Sequence, residues 1–140
     1  MSTDNAVQAE RIVPQSAGEI FDAWSAHFEY WFAQDDSIHM TPEVGAPFFF
    51  ETEMGGRRHA HYGRFLELVP DKLVKMTWMT GDPGTKGAET TVTMQISETA
   101  DGTHIHVLHE GFYDEETAAG HGDAWPLVLE HMESQLSART

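Results

Sequence analysis

Cysteine is absent from this 140-residue chain, which removes disulfides, thiolate nucleophiles, thiolate zinc sites and iron–sulfur clusters from consideration. Any metal would have to be held by His, Asp or Glu. Basic residues are scarce. The 8 Lys and Arg stand against 23 Asp and Glu, a formal charge of −15 that repels phosphate backbones and anionic lipid headgroups alike. The expectation is no nucleic-acid partner and no membrane partner. No apolar run approaches the ~18 residues of a membrane span, and residues 1–5 are polar where a secretory leader would be basic and then apolar. This points to the cytoplasm, with residues 1–5 as a disordered tail. A Gly-x-Ser-x-Gly elbow, a Walker loop and a dinucleotide-binding fingerprint are all missing, as are internal repeats, low-complexity tracts and linkers. The length then makes one domain, 1–140, large enough to bury about two-thirds of its surface.

What is present is a change of period along the chain. Ala6 to Val13 alternates, is rich in β-branched residues, and ends at Pro14, which cannot donate into a ladder. Ser16 and Glu19 have the spacing of a capping box, so a helix starts there with Ile20, Phe21 and Trp24 on one side. Phe28, Trp31 and Phe32 repeat that spacing and predict a second short helix. From Ser37 to Glu110 the period is two, and Pro42, Gly45, Gly55-Gly56, Pro70-Asp71, the 81–87 run and Asp101-Gly102 divide the stretch into five antiparallel strands.

Alternation places Phe48, Phe50, Thr52 and Met54 on one face of their strand. It groups Tyr62, Arg64, Leu66 and Leu68 in the next, and Val74, Met76 and Trp78 in the one after. Val92, Met94 and Ile96 follow, then Ile105, Val107 and His109. In the last segment Trp125, Val128, Leu129, Met132 and Leu136 recur at helical spacing. Pro126 suits a helix that starts near Asp123, or one that starts near Glu115 and bends at the proline, and the longer version is preferred. The fold class is α+β. A curved six-stranded antiparallel sheet grips a long C-terminal helix, with two short helices between the first and second strands.

This order of elements resembles the START-like superfamily, also called SRPBCC, and within it the bacterial branch similar to the heat-shock-protein 90 ATPase activator. The stretches that carry the likeness are PQSAGEIFDAW (14–24), GRFLELVPDKLVKMTW (63–78), TTVTMQI (90–96) and HEGFYDEETAAGHGDAWPLVL (109–129). The resemblance implies a helix-grip fold with a cavity between sheet and long helix, where members of the superfamily hold apolar or aromatic ligands. It implies no cofactor and no single reaction, since relatives include carriers, receptors and cyclases. The chain differs from the co-chaperone in being a lone domain, which sets a chaperone-interacting role behind the other readings.

The lining of that cavity would come from both facing surfaces. The helical segments would offer Trp24, Phe28 and Trp31, the strands Phe48, Phe50, Met54, Met76, Trp78 and Met94, and the last segment Phe112, Trp125, Leu129 and Met132. A mixture of methionine and aromatic side chains adapts to a flat ligand, and a volume on the order of 300 Å³ or more would admit a small aromatic molecule. Ordinary core packing accounts for the same residues. Tyr62, Arg64 and His109 are the polar members of the apolar face, where each needs a partner, a water or a ligand. Arg64 would clamp a carboxylate or carbonyl, Tyr62 would orient a ligand oxygen, and His109 is the candidate catalytic residue, able to move a proton near neutral pH. The plain alternative pairs Arg64 with one of the many acids and ties His109 to backbone near the last helix.

His59-x-His61 and His104-x-His106 each place two imidazoles on one face of a strand, a geometry open to zinc or iron. The pattern fits cupins poorly, because Glu67 follows His61 by six positions. These are read as exposed strand histidines, and no metal site is assigned. The 81–87 run is read as a hairpin loop at the cavity mouth, and Asp114, Glu115 and Glu116 as the cap of the last helix. The preferred function is binding of a small apolar or aromatic molecule without catalysis. The alternatives are a cyclase-like or hydrolase-like enzyme using His109 with Arg64 or Tyr62, and a chaperone-interacting protein. A homodimer is left open.

Overall fold

The computed structural model describes residues 6–34, 36–54, 56–80, 85 and 88–139, with the side chain of Met54 outside that description. The expected tail at residues 1–5 and most of the 81–87 loop lie outside the described residues. Strand β1 (Ala6–Val13) is followed by helix α1 (Ala17–Ser25) and one 3-10 turn (Phe28–Tyr30). Strands β2 (Pro47–Met54), β3 (Arg57–Val69), β4 (Leu73–Thr80), β5 (Thr90–Thr99) and β6 (Gly102–Glu110) follow, then helix α2 (Glu115–Ala138). The sheet order is β1-β6-β5-β4-β3-β2, with every neighbour antiparallel. This is the α+β helix-grip architecture. The second short helix of the sequence reading is a single 3-10 turn, closed by Trp31 N–H on Phe28 O at 3.1 Å.

Both helices begin where side chains replace the missing backbone partners. Ser16 Oγ accepts from Glu19 N at 3.1 Å while Glu19 Oε1 accepts from Ser16 N at 2.9 Å, the reciprocal pair expected of that spacing. Asp114 Oδ1 accepts from Thr117 N at 2.8 Å, so α2 starts at Glu115 and runs through Pro126 rather than beginning beside it. Helix α2 lies along β1, held by the Arg11 to Glu133 pair at 2.7 Å and by Gln15 donating to Ser137 at 2.9 Å. Gly122 lets this approach happen, since a Cβ there would sit 3.1 Å from Val7.

On the other side α2 meets α1. The rings of Trp24 and Trp125 stack at 6.0 Å, and the Trp24 indole donates to Met132 Sδ at 3.2 Å. Trp24, Phe28, Phe50, Met76, Met94, Leu129 and Met132 are fully buried between these layers. Each large ring removes on the order of 150 to 250 Å² from water, and this burial holds the grip closed.

Strand β3 departs from simple alternation. Phe65 pairs with Met76 but Glu67 pairs with Lys75, so β3 carries one extra residue, a bulge at Leu66 that exchanges its two faces. Before the bulge the odd-numbered residues face inward, ending in fully buried Phe65; after it Leu68 does. Gly63 marks a close approach of β3 to β4: a Cβ there would lie 2.2 Å from Thr77 O, so no other residue fits without backbone movement.

Candidate functional site

The bulge decides which polar side chains reach the interior. Tyr62 and Arg64, expected on the apolar face, lie on the outer face of the sheet, with Tyr62 39% exposed and the Arg64 side chain 55% exposed. Arg64 stands 3.7 Å from Glu89, an exposed pair of little energetic weight. The alternation argument misplaces both because it extends the phase of Leu68 back through Leu66. The converse error falls on His61. Read as an exposed strand histidine, it turns inward in phase with Phe65, its ring parallel to Phe50 at 5.2 Å and edge-on to Trp78 at 5.3 Å and Phe32 at 5.4 Å.

His109 is where alternation puts it, on β6, with no exposed surface. Its hydrogen bonds form a directed chain. The Trp125 indole N–H can only donate, and it meets Nδ1 at 3.1 Å, so Nδ1 accepts. Nε2 therefore carries the proton and donates to Thr90 Oγ1 at 2.7 Å, while the Thr90 hydroxyl passes its own proton to Trp78 O. Burial holds the His109 pKa down at about 3, with nearby His121 opposing protonation further. A ring with both nitrogens engaged and no charge at neutral pH is a joint between β6, β5 and α2. It does not come together with Arg64 or Tyr62, which face away.

The other candidate lining residues form one continuous layer of rings. Phe28 stacks on Phe50 at 4.8 Å, Phe50 meets Trp78 at 5.9 Å, and Trp78 meets Trp125 at 6.3 Å. Trp31 joins Trp24 and Phe28, each at 5.2 Å, and Phe48 joins Phe65 at 5.4 Å. Met76, Met94, Leu129 and Met132 are buried beneath these rings. The side chain of Met54, another expected lining residue, falls outside the described residues. These rings pack against one another across the floor of the grip. A separate hollow of about 560 Å³ lies among Ala17, Pro70, Asp71, Lys72, Ile96, Ser97 and Glu98, with no aromatic wall.

The aromatic layer opens at one end. Phe32, His61 and His121 are only half-buried, whereas Phe50, Trp78, Phe112 and Trp125 behind them are buried. His61 pairs with Thr80 across the end of β4, so the opening sits where the 81–87 connection leaves the sheet. That connection is anchored by a reciprocal clasp, Thr80 N to Thr85 Oγ1 at 2.9 Å and Thr85 N to Thr80 Oγ1 at 2.6 Å.

His121 reaches the same end from α2, 4.7 Å from Phe112 and 5.0 Å from His109. Its Nδ1 lies 2.9 Å from Thr117 O, and His61 Nδ1 lies 3.2 Å from His59 O. A carbonyl only accepts, so both rings carry the proton on Nδ1 and leave Nε2 as a bare acceptor. Burial lowers the pKa of both, His61 to about 4. Phe65 was the available clue to His61: an aromatic residue out of phase with Leu66 and Leu68 signals a bulge.

The second histidine pair is satisfied on the outer face, His104 Nε2 by Glu10 at 2.7 Å and His106 Nε2 by Gln8 at 2.8 Å. Among the described residues no three His, Asp or Glu side chains gather as a metal site, and no helix is long and apolar enough to cross a membrane.

Comparison with known proteins agrees with this architecture. A protein named AHSA1 from Silicibacter pomeroyi superimposes with a TM-score of 0.79 at 21% identity, covering 96% of this chain and 99% of its own. A Mesorhizobium loti protein gives 0.78 at 23% identity, with 96% and 98% covered. DynU16, a protein from the dynemicin biosynthetic locus, gives 0.75 at 15% identity; the match covers 95% of this chain and 47% of DynU16. At these identities the likeness is one of fold. No functionally curated protein matches the chain. The model of the activator of Hsp90 ATPase homolog 1-like family matches residues 15–137, and the chain belongs to that family.

Proposed function

We propose that this protein binds a small aromatic molecule at the open end of the helix grip, against Phe32, His61, Trp78 and Phe112. The observation that carries the reading is the contrast along one layer, where rings packed and sealed behind Trp78 give way to half-buried rings beside it. Binding sites combine apolar walls with a few fixed polar groups, and this end has both. Family membership supports the same reading, because the grip of sheet and helix is the scaffold on which such pockets are built. The reading does not involve a reaction. His109 is neutral and fully engaged, and the groups named to assist it face outward.

The test is titration of the purified protein with anisole, a neutral aromatic probe, followed by NMR. Saturable shifts confined to Phe32, His61, Trp78 and Phe112 are expected. A rise in melting temperature with probe concentration should accompany them, by about 2.7 kcal/mol of added stability at one hundred times Kd. Absence of saturable shifts at this end, or shifts centred on the hollow at Ala17 and Lys72, would refute it.

A further inference from the structure

The polar groups at the open end specify the chemistry of the occupant. His61 and His121 come from opposite sides of the grip, β3 and α2, and each spends its single N–H on a backbone carbonyl. Neither Nε2 has a partner among the described residues, and neither is a sealed, unsatisfied atom. Both therefore present lone pairs where solvent can reach. They are also close enough that a charge on His121 opposes one on His61, and burial opposes both.

A third group belongs to the same place. Of the four tryptophans, Trp24 donates to Met132, Trp31 to Ala23 O and Trp125 to His109. Trp78, edge-on to His61, keeps its indole N–H without an acceptor among the described residues. The end thus offers bare acceptors beside one free donor, framed by aromatic rings. Along the C-terminal part of α2, Arg11 is engaged by Glu133 and Arg139 lies over the Tyr30 ring.

A carboxylate brings only acceptors and a negative charge, so it would meet two lone pairs and would carry that charge in among apolar rings. An aryl ether brings an acceptor but no donor. An aromatic hydroxyl brings both: its O–H donates to an imidazole nitrogen, its oxygen lone pairs accept from an N–H, and its ring lies among rings. We infer that the ligand is a neutral phenol, with its hydroxyl donating to His61 Nε2 and its ring packed against Phe32 and Trp78. The inference rests on the binding reading above and names the class of molecule bound.

Phenol, anisole and benzoate, titrated separately at pH 7 by NMR, decide the matter. Phenol should bind about tenfold tighter than anisole, the effect of one hydrogen bond to an otherwise unpaired acceptor, and benzoate weakest of the three. His61→Phe keeps a ring on Phe50 and removes the acceptor, so it should abolish the preference for phenol, read as the ratio of phenol to anisole affinity falling from about ten to about one. His121→Phe reports on the second acceptor in the same way. Equal affinities for phenol and anisole, a preference that survives both substitutions, or tightest binding of benzoate would each overturn the inference while leaving the site itself intact. Failure of all three probes to bind would overturn the site and the inference together.

Discussion

Two histidines on the inner face of one sheet show how differently the two halves of this grip are built. His109 lies under α2 with both nitrogens bonded, its proton on Nε2, and no exposed surface. His61 lies under Phe32 with one nitrogen bonded, its proton on Nδ1, and the other nitrogen open. Residue type, face and burial-lowered pKa are shared. What differs is whether a partner element supplies the second hydrogen bond. Helix α2 brings the Trp125 indole to His109, and among the described residues nothing does the same for His61. A buried polar group that is fully satisfied fixes a structure, whereas one left open is available to something else.

The largest break in this contrast should come from Trp125→Ala. The indole stacks on Trp24, meets Trp78 and donates to His109, so its loss removes a large buried ring and strands an acceptor. Chemical denaturation should show about 3 to 5 kcal/mol of lost stability. A loss under about 1 kcal/mol would mean that α2 is not anchored there.

Acid should act next. The folded protein holds His109 down at about 3 while an unfolded chain titrates near 6.5, so the unfolded state takes up its proton first. The contribution is complete above pH 6.5 and is lost as pH falls toward 3, by about 1.4 kcal/mol per pH unit for this one group. His109→Leu should flatten that slope by one proton, measured as denaturation midpoints from pH 7 down to pH 5. His61, held at about 4, adds a slope of the same sign that His61→Phe removes.

Removing a helix cap sharpens the comparison at its edge. Asp114→Ala deprives α2 of its first side-chain bond, the 2.8 Å contact to Thr117 N, and should cost about 1 kcal/mol. The same substitution should loosen the His121 end of α2 before the Leu136 end, which hydrogen exchange can resolve residue by residue. The smallest effect belongs to Arg64→Ala. With its side chain 55% exposed beside Glu89, it should change stability by less than about 0.5 kcal/mol and leave probe binding unchanged.

Much of this architecture is legible in the sequence because its signals are local. The Ser16 and Glu19 spacing states a helix start, and alternation through Val92, Met94, Ile96 and Ile105, Val107, His109 states a sheet face that the pairing of β5 with β6 confirms. The site is less legible because it depends on one inserted residue. The bulge at Leu66 leaves the pattern apolar on both sides of it, so alternation stays plausible in either phase, and Tyr62 and Arg64 exchange places with His61. The hydrogen-bond chain through His109 has no sequence signature either, since Thr90 and Trp125 stand 19 and 16 residues away from it. The second expected short helix is one turn because the Phe28, Trp31 and Phe32 spacing records three rings in mutual contact, which a 3-10 turn satisfies as well as a longer helix.

The contrast between the two histidines can be read directly from the ring nitrogens. In a ¹⁵N-labelled sample at pH 7, His109 should carry its proton on Nε2 and His61 on Nδ1, both rings neutral, and adding phenol should shift the bare Nε2 of His61 while leaving His109 unmoved. The same tautomer at both positions, a His109 that titrates near 6.5, or a phenol response at His109 rather than His61 would contradict the account.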